Sequence, residues 1–510
     1  MRIAAPEADA FAHPDARRRF TVVGDQAALE AALDAPWDDW AVFLHPAQRE
    51  FVDRDFNGPA RIIGSAGTGK TVVALHRAVR LARDEPEARV LLATFSAALA
   101  EGLSRKIARL LRPHLGLAAR VTVATLGAVA RELVAERFPN VRIVADDEMP
   151  ARVAHAAAEA GTTIDPAFLA DEWRLIVDAW DVRDAASYLE LPRLGRKVRM
   201  AASRRDEAWA VFERVRARLA AEGLATEAEV MHCLARNVAP LPFTHVLLDE
   251  AQDISVPELH LVAAMTEGRP NGLFFAGDIG QRIFRSPFPW KSAGVDVTGR
   301  SRSLKVNYRT SHQIRATSDR LLPPRLLEAD GGEDRRLGVT SVFHGPSPEL
   351  RTFPSENEEA YAAGRWLAAR AGDGLSGDTM AVLVRSPAQL DRGRRAIEAS
   401  GVAGVTPRLM HDAKGSEFRA VALLACDADA LPDETRLLAA ADERDLREVY
   451  DTERHLLYVA ATRAREHLWV SAVSPASEFL DDLLEASGAV QAEAREATSW
   501  GRPVKGMRRR

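Results

Sequence analysis

Short apolar runs rich in valine, isoleucine and leucine recur along the chain, and most are bounded by charged residues or glycine. Such runs are typical of strands that are buried on both faces of a parallel sheet. The predicted strands are Ala60–Ile63, Val90–Phe95, His245–Leu248, Leu273–Ala276, Ala381–Val384, Val421–Ala425 and Leu468–Val473. Segments with helical spacing of apolar residues lie between them, and this alternation predicts a doubly wound α/β fold.

The segment from about residue 140 to residue 235 departs from this alternation. It has no clear strand pattern and is rich in alanine, arginine and glutamate, so we expect a helical insertion. Its basic cluster consists of Arg193, Arg196, Lys197, Arg199, Arg204 and Arg205. These side chains form either a solvated helix face or a nucleic-acid surface.

Composition narrows the function classes. The chain has 510 residues, is 47% hydrophobic and carries a net charge of −5, so any nucleic-acid surface is a local patch. The N-terminus lacks the apolar core of a secretory signal, and no apolar run approaches the roughly 18 residues that span a bilayer. We therefore expect a soluble, cytoplasmic protein without a membrane partner, in which Cys233 and Cys426 are reduced.

A glycine-rich loop between a predicted strand and a predicted helix carries the most specific chemistry. Its residues are Gly64, Ser65, Ala66, Gly67, Thr68, Gly69, Lys70 and Thr71. Glycines let several backbone N–H groups converge on a phosphate, and the helix N-terminus adds positive potential. In this pattern Lys70 supplies charge to the β- and γ-phosphates of ATP, and Thr71 supplies an oxygen to Mg²⁺.

An acidic pair follows the strand predicted at His245–Leu248. Asp249 is placed to complete the Mg²⁺ shell, and Glu250 is placed to polarise the attacking water. An acidic pair after a strand is by itself more often a helix cap. With the glycine-rich loop upstream, it indicates a site for ATP hydrolysis.

The run Asp249-Glu250-Ala251-Gln252-Asp253 resembles a motif of the superfamily-one helicases of the UvrD/Rep/PcrA type. The resemblance extends from about Phe43 to Val473, with the motifs in the family's order. It implies two RecA-like P-loop lobes with parallel sheets, ATP and Mg²⁺ as cofactors, and single-stranded DNA as the partner, with RNA as the alternative track. Protein partners stay open.

The resemblance also implies domain boundaries. The first RecA-like lobe is expected at residues 41–300, with the helical insertion inside it. The second lobe is expected at residues 301–487, between an N-terminal extension (1–40) and a basic C-terminal tail (488–510).

Five further residues acquire expected roles at the ATP site. Gln48 would read the adenine edge, and Glu417 would bind the ribose hydroxyl. Gln281 would contact the γ-phosphate. Arg309 and Arg463 would act as arginine fingers, which neutralise charge in the transition state and are worth about 10³–10⁵ in rate.

The nucleic-acid contacts implied by the resemblance are Thr94, Phe284, Trp290, Arg385, His411 and Lys414. The family usually has tyrosine where this chain has Phe284, but a phenyl ring also stacks on a base. Trp290 has a different spacing from the family's stacking tryptophan, so a core tryptophan is the alternative. Thr94 lies in a motif that lacks the family's usual lysine.

Larger members of the family carry a mobile subdomain late in the second lobe. Here the predicted strand Ala381–Val384 is followed by one helical segment, Leu390–Ser400, and then by the motif of His411. We therefore expect a compact form without the large second-lobe insertion.

Three functions remain open. The motif set favours an ATP-dependent DNA helicase with 3′→5′ polarity, where polarity rests on the resemblance alone. The expected lack of the subdomain suggests a translocase that does not unwind. An ATP-gated scaffold in a repair or defence assembly is the third, although a scaffold has no need of the hydrolytic base Glu250.

Overall fold

Two larger parallel sheets form the frame of the structure, a computed structural model that describes residues 44–191, 200–236, 242–284, 288–327, 333–336, 338–438, 440 and 443–484. The strands in chain order are β1 (Ala60–Ile63), β2 (Val90–Thr94), β3 (Val121–Thr125), β4 (Arg142–Ile143), β5 (Leu224–Ala225), β6 (His245–Asp249), β7 (Leu273–Gly277), β8 (Ser301–Ser303), β9 (Val306–Asn307), β10 (Arg325–Leu327), β11 (Glu333–Arg335), β12 (Thr340–Ser341), β13 (Glu349–Phe353), β14 (Met380–Val384), β15 (Pro407–Leu409), β16 (Phe418–Leu423) and β17 (Ala464–Val473).

Helices pack around these sheets. The α-helices in chain order are α1 (Pro46–Asp53), α2 (Lys70–Asp84), α3 (Ala97–Leu111), α4 (Leu126–Arg137), α5 (Met149–Ala160), α6 (Pro166–Glu172), α7 (Ala185–Glu190), α8 (Ala202–Ala221), α9 (Glu227–Arg236), α10 (Val256–Thr266), α11 (His312–Ser318), α12 (Glu356–Gly372), α13 (Leu390–Ser400), α14 (Glu434–Leu438), α15 (Glu443–Ala461) and α16 (Phe479–Leu484). Among the described residues, no helix combines the length and apolar character that a membrane crossing requires.

The first lobe is built on six parallel strands in the order β3-β2-β6-β7-β1-β8. Strands β2, β6 and β7 are buried along their whole length, which confirms the reading of their apolar runs. Because all six strands are parallel, the carboxyl ends of β1, β6 and β7 meet at one edge, where ligands of such sheets bind. The sheet includes Ser301–Ser303, so the first lobe extends past the boundary predicted at residue 300. This polar edge strand lacks the apolar run that marks a buried one.

The helical insertion within the first lobe has its own buried aromatic core. Trp173, Tyr188, Trp209 and Phe212 pack together inside it. The two-residue strands β4 and β5 pair at its base, a feature too short for a periodic pattern to reveal. Helix α9 belongs to the core of the first lobe instead, so the insertion ends before the predicted residue 235.

The predicted basic cluster is only partly within the described residues. Arg193, Arg196, Lys197 and Arg199 lie outside them. Arg205 donates to the carbonyl of Leu191 at 3.1 Å and lies 5.1 Å from the ring centroid of Tyr188. Arg205 therefore makes its contacts within the insertion.

The second lobe has five parallel strands in the order β13-β17-β16-β14-β15. Strands β16 and β17 begin earlier than predicted, because Arg419 on β16 pairs with Glu466 on β17 at 2.8 Å and thus accommodates charge within the sheet. Strand β14 leads through α13 directly to β15, so the expectation of a compact form without the large insertion is confirmed.

The described residues between 304 and 345 form a connecting segment between the two sheets. Its strand β9 pairs with β12, and β10 pairs with β11. Ile314, Leu321 and Leu322 of this segment share one buried cluster with the second sheet and with Ala66 and Ile283 of the first lobe. The two lobes are thus joined by a common apolar core.

Arg77 on α2 fixes the position of α1. Its guanidinium is fully buried and donates to the carbonyls of Phe51, Val52 and Arg54 at 3.2, 3.1 and 2.6 Å. These carbonyls lie at or just past the end of α1, where helical N–H groups do not reach them. Arg77 therefore holds the helix that carries Gln48.

We predict that Arg77→Met lowers the free energy of unfolding by about 2–5 kcal/mol, because it leaves buried carbonyls without a donor. Urea denaturation measures the change. The matched control is Arg83→Met on the same helix, where the arginine side chain is 56% exposed and the expected change is within about 0.5 kcal/mol. Equal losses in the two variants would contradict this role of Arg77.

Candidate functional site

The glycine-rich loop lies between β1 and the N-terminus of α2. Gly67 and Gly69 have φ values of +79° and +83°, in the left-handed region that favours glycine. A side chain at Gly69 would collide with Gln48, and one at Gly67 would collide with Asn307. Gln48 and Asn307 therefore pack closely against the loop. Its backbone geometry fits the binding of a phosphate.

Lys70 and Gln48 both bond to this loop. The Lys70 ammonium donates to the carbonyls of Gly64 and Ser65 at 2.8 and 3.0 Å. Burial lowers the pKa of Lys70, and the negative charge of Asp278 opposes this change. Gln48 donates to the carbonyl of Thr68 at 3.0 Å, so the structure brings the predicted adenine reader against the loop.

The predicted metal ligands are neighbours in space. Thr71 Oγ1 donates to Asp249 Oδ2 at 2.8 Å, although 178 residues separate them in sequence. Burial raises the pKa of Asp249 to about 6, and the charge of Glu250 adds to the rise. A hydroxyl beside a carboxylate supplies the oxygen ligands that Mg²⁺ prefers, so these residues fit the ion.

Glu250 stands in a cationic environment. It follows β6 with φ +58°, an uncommon conformation for a residue with a side chain. Burial alone would raise the pKa of Glu250, but the charges of Lys414, Arg463 and Lys70 bring it below the usual value. Glu250 is thus an ionised carboxylate, as a general base has to be.

A chain of hydrogen bonds runs from Glu250 to the second lobe. Gln252 donates to Glu250 Oε2 at 2.6 Å and accepts from the backbone N–H of Asp278 at 2.9 Å. Gln281 donates to Asp278 Oδ2 at 2.7 Å. Arg463 in turn donates to Gln281 Oε1 at 2.6 Å. Residues of both lobes therefore form one network.

Arg309 and Glu417 lie together beside this network. Arg309 donates to Glu417 Oε1 at 3.0 Å and to the carbonyl of Thr462 at 3.1 Å. Burial alone would raise the pKa of Glu417, but the charges of Arg309 and Lys106 lower it to about 2. The residues expected at the γ-phosphate and at the ribose thus belong to one site.

The stacked rings of Phe95 and Phe284 form an aromatic platform near the hydrogen-bond network that contains Gln281. The ring of Phe284 is 40% exposed and stacks on Phe95 with centroids 4.6 Å apart and planes 15° apart. The ring of His411 is 6.2 Å from that of Phe284. Thr94, at the end of β2, is buried beside Phe95. Sequence reasoning assigned Phe95 to a strand and missed its part in the platform.

Lys414 requires a correction, because its ammonium is buried instead of facing a strand of nucleic acid. It forms an ion pair with Asp253, donates to the carbonyl of Gln281 at 2.7 Å and lies 3.9 Å from Glu250. It also lies 5.2 Å from the ring centroid of Phe284. Lys414 of the second lobe therefore contacts the first lobe at a point between Glu250 and the aromatic platform.

Arg385 and Trp290 also lie inside the protein. Arg385 makes a two-pronged ion pair with Glu453, at 2.6 and 2.7 Å, and both side chains are buried. Trp290 is 8% exposed and packs on Phe275 with centroids 4.5 Å apart. The predicted stacking and backbone contacts do not fit this burial, and the core alternative fits Trp290.

Asn307 and Tyr458 hold the loop from outside the first lobe. Asn307 donates to the carbonyl of Ala66 at 2.8 Å, and the N–H of Ala66 donates to the Tyr458 hydroxyl at 3.4 Å. Asn307 lies two residues before Arg309, and Tyr458 lies five residues before Arg463. Their contacts were not predictable, because they depend on how the lobes pack.

Comparisons with known proteins agree with this geometry. Residues 44–297 match the family model of the UvrD/REP helicase N-terminal domain, and residues 405–475 match that of the UvrD-like helicase C-terminal domain. Together these matches span well over half of the chain. No curated protein matches it.

One similar solved structure is described as the C-terminal domain of a possible DNA helicase from Lactobacillus plantarum WCFS1. It is 20% identical, covers 34% of this chain and 93% of its own, and has a TM-score of 0.24. That score is too low for the likeness to indicate a shared fold by itself.

We predict that Gly69→Ala weakens ATP binding at least about tenfold, or about 1.4 kcal/mol. Alanine is strained at positive φ, and its methyl group would displace Gln48 from the loop. Titration with a fluorescent ATP analogue measures the affinity. The control is Gly102→Ala in α3, where nothing lies within 4 Å of the added carbon, and its affinity should equal that of the wild type. Unchanged affinity in Gly69→Ala would refute the assignment of the loop.

A second prediction concerns the platform. Phe284→Ala should weaken binding of a single-stranded oligonucleotide by about 1–3 kcal/mol, whereas Phe284→Tyr should retain it, because the ring face is what stacks. Fluorescence anisotropy at fixed salt measures both. Tyr361→Ala is the control, since Tyr361 is 60% exposed on α12 and lies in the second lobe. A similar loss in that control would rule out a specific platform.

Proposed function

The chain belongs to the UvrD-like family of ATP-dependent DNA helicases, and from this premise we propose that it moves along single-stranded DNA, with 3′→5′ polarity, by hydrolysing ATP between its two lobes. The observation that carries the proposal is the hydrogen bond from Arg463 of the second lobe to Gln281 of the first. Through Asp278 and Gln252, this contact continues to Glu250. A base and an arginine from opposite lobes thus share one network.

Different residues would bind the phosphates, bind Mg²⁺ and activate the attacking water. The glycine-rich loop and Lys70 would hold the phosphates, and Thr71 and Asp249 would hold Mg²⁺. When bound, Mg²⁺ would supply positive charge that neutralises the phosphates. Glu250, kept ionised by its cationic neighbours, accepts a proton from the attacking water.

The two arginines make hydrolysis depend on lobe closure. Burial lowers the pKa of Arg463 to about 10, so its guanidinium remains charged at neutral pH. Arg309 stands beside it, held by Glu417. Both can stabilise the transition state only while the second lobe is against the first.

Coupling to nucleic acid is supported by the position of Phe284, which follows Gln281 by three residues. Lys414 contacts the carbonyl of Gln281 and the ring of Phe284 together. A shift of the lobes at the ATP site is therefore transmitted to the ring that would stack on a base. Repeated closing and opening would advance the protein along the strand.

The decisive experiment is an ATPase assay without nucleic acid and with single-stranded DNA, RNA or duplex DNA. We expect strong stimulation by single-stranded DNA and none in Lys70→Ala. Stimulation by RNA alone would overturn the DNA track. Slow hydrolysis that no nucleic acid stimulates would favour the ATP-gated scaffold.

Polarity is tested separately by strand displacement on duplexes with a 3′ or a 5′ overhang. Displacement from the 3′ overhang alone is the expected result, with Lys70→Ala inactive on both substrates. Unwinding that starts only at the 5′ overhang would contradict the proposed polarity.

A translocase that does not unwind is the second candidate, and the direct connection from β14 through α13 to β15 favours it. No inserted subdomain is present there to engage a duplex. This candidate predicts that the protein strips a bound protein from single-stranded DNA but leaves an adjoining duplex intact. Robust unwinding by the lone chain would exclude it.

A further inference from the structure

Arg336 is a buried cation at the junction of the lobes, outside every motif that the sequence revealed. It follows β11 in the connecting segment and is 6% exposed. Its Nη2 donates to Asp319 at 2.8 Å, and its Nη1 lies 3.8 Å from Asp278 of the first lobe. The guanidinium carbon lies 4.5 Å from the ring centroid of Tyr458 in the second lobe. Arg336 thus touches both lobes.

The two residues that Arg336 reaches are those that hold the ATP-side machinery in place. Asp278 accepts from Gln281, the expected γ-phosphate contact, and also from the N–H of Gly280. Tyr458 accepts from the N–H of Ala66 in the glycine-rich loop. The Arg336 side chain therefore contacts Asp278, which bonds to Gln281, and Tyr458, which bonds to the glycine-rich loop.

The bonding of Arg336 differs from that of Arg392, a buried arginine away from the junction of the lobes. Arg392 in the second lobe bonds through all three nitrogens, to Glu359 and Asp427. In Arg336, Nε and Nη1 have no hydrogen-bond partner among the described residues. Leaving buried donors unmatched costs about 1–3 kcal/mol, so such a group in a native structure calls for an explanation.

Gly280 is fitted closely to this guanidinium. A methyl group at Gly280 would collide with Arg336 Nη1, and the backbone there does not otherwise require glycine. The coupling segment and Arg336 are thus packed against one another without room for a side chain.

We propose that Arg336 is a positioning residue that ties the Asp278–Gln281 unit of the first lobe to Tyr458 of the second, and thereby makes ATP hydrolysis respond to nucleic acid. It would act through Asp278 and Tyr458, without touching ATP. This inference rests on the proposed function, because it presupposes hydrolysis that single-stranded DNA stimulates.

The test compares the steady-state ATPase kinetics of wild type, Arg336→Gln and Arg336→Lys with saturating single-stranded DNA. Arg336→Gln should lower the stimulated kcat at least about fivefold, the lower end of typical coupling energies. Its KM for ATP should stay within about twofold, because the phosphate-binding residues are unchanged. Arg336→Lys should recover part of the loss, since it restores the charge beside Asp278.

The matched control is Arg392→Gln, which removes an equally buried arginine away from the junction. It should lower the melting temperature and leave the stimulated kcat of the folded protein unchanged. If Arg336→Gln behaves in the same way, Arg336 is only structural and the inference is overturned. If the wild type itself is not stimulated, the proposed function fails and the inference fails with it.

Gly280→Ala keeps the inference testable should Arg336→Gln not fold. The added methyl displaces the guanidinium while Arg336 remains, and the same loss of stimulated kcat is expected. An unchanged kcat would overturn the inference. A double-mutant cycle of Arg336→Gln with Asp278→Asn should be non-additive, because the proposed effect passes through Asp278; additive losses would also overturn it.

Discussion

The buried guanidinium of Arg463 is the constraint on which the arrangement of the lobes depends. A buried charge costs several kcal/mol unless its donors are matched. Two of its partners, the carbonyls of Val459 and Ser416, lie in its own lobe, whereas the third, Gln281 Oε1, lies in the other. Separating the lobes would break this hydrogen bond and expose the donor to water. Lys414 has the same dependence through Asp253 and the carbonyl of Gln281.

Both dependences converge on the segment from Asp278 to Phe284. At one end Asp278 and Gln281 face the ATP-side network, and at the other Phe284 stacks on Phe95. The segment contains a single turn of 3₁₀ helix, Ile279–Gln281, and follows a strand that is buried along its length. A short turn on a rigid strand has little freedom to absorb a displacement. We therefore expect movement at Gln281 to be passed to the platform.

Sequence reasoning recovered most of the fold because strands buried on both faces have continuous apolar runs, and a phosphate-binding loop has a pattern of its own. It missed β8 and the early starts of β16 and β17, since these strands carry polar or charged residues that find partners within the sheet. At the site, it identified Thr71 and Asp249 as a pair, and the structure brings them to 2.8 Å. It misjudged Lys414 and Arg385, whose partners Asp253 and Glu453 lie 161 and 68 residues away. A motif tells which residue types are needed, but not toward which side of a cleft a long side chain turns.

The burial of Lys414 and Arg385 changes which contacts can bind a nucleic acid. With Lys414 and Arg385 engaged inside the protein and a net charge of −5, the described part of the proposed nucleic-acid site offers ring faces more than cations. Affinity built on phosphate contacts falls steeply with salt, whereas affinity built on stacking does so less. Stacking also needs base faces, which a single strand exposes and a duplex conceals. The exposed ring face of Phe284 therefore supports the proposal of a single-stranded partner, since stacking on it needs no base-specific hydrogen bond.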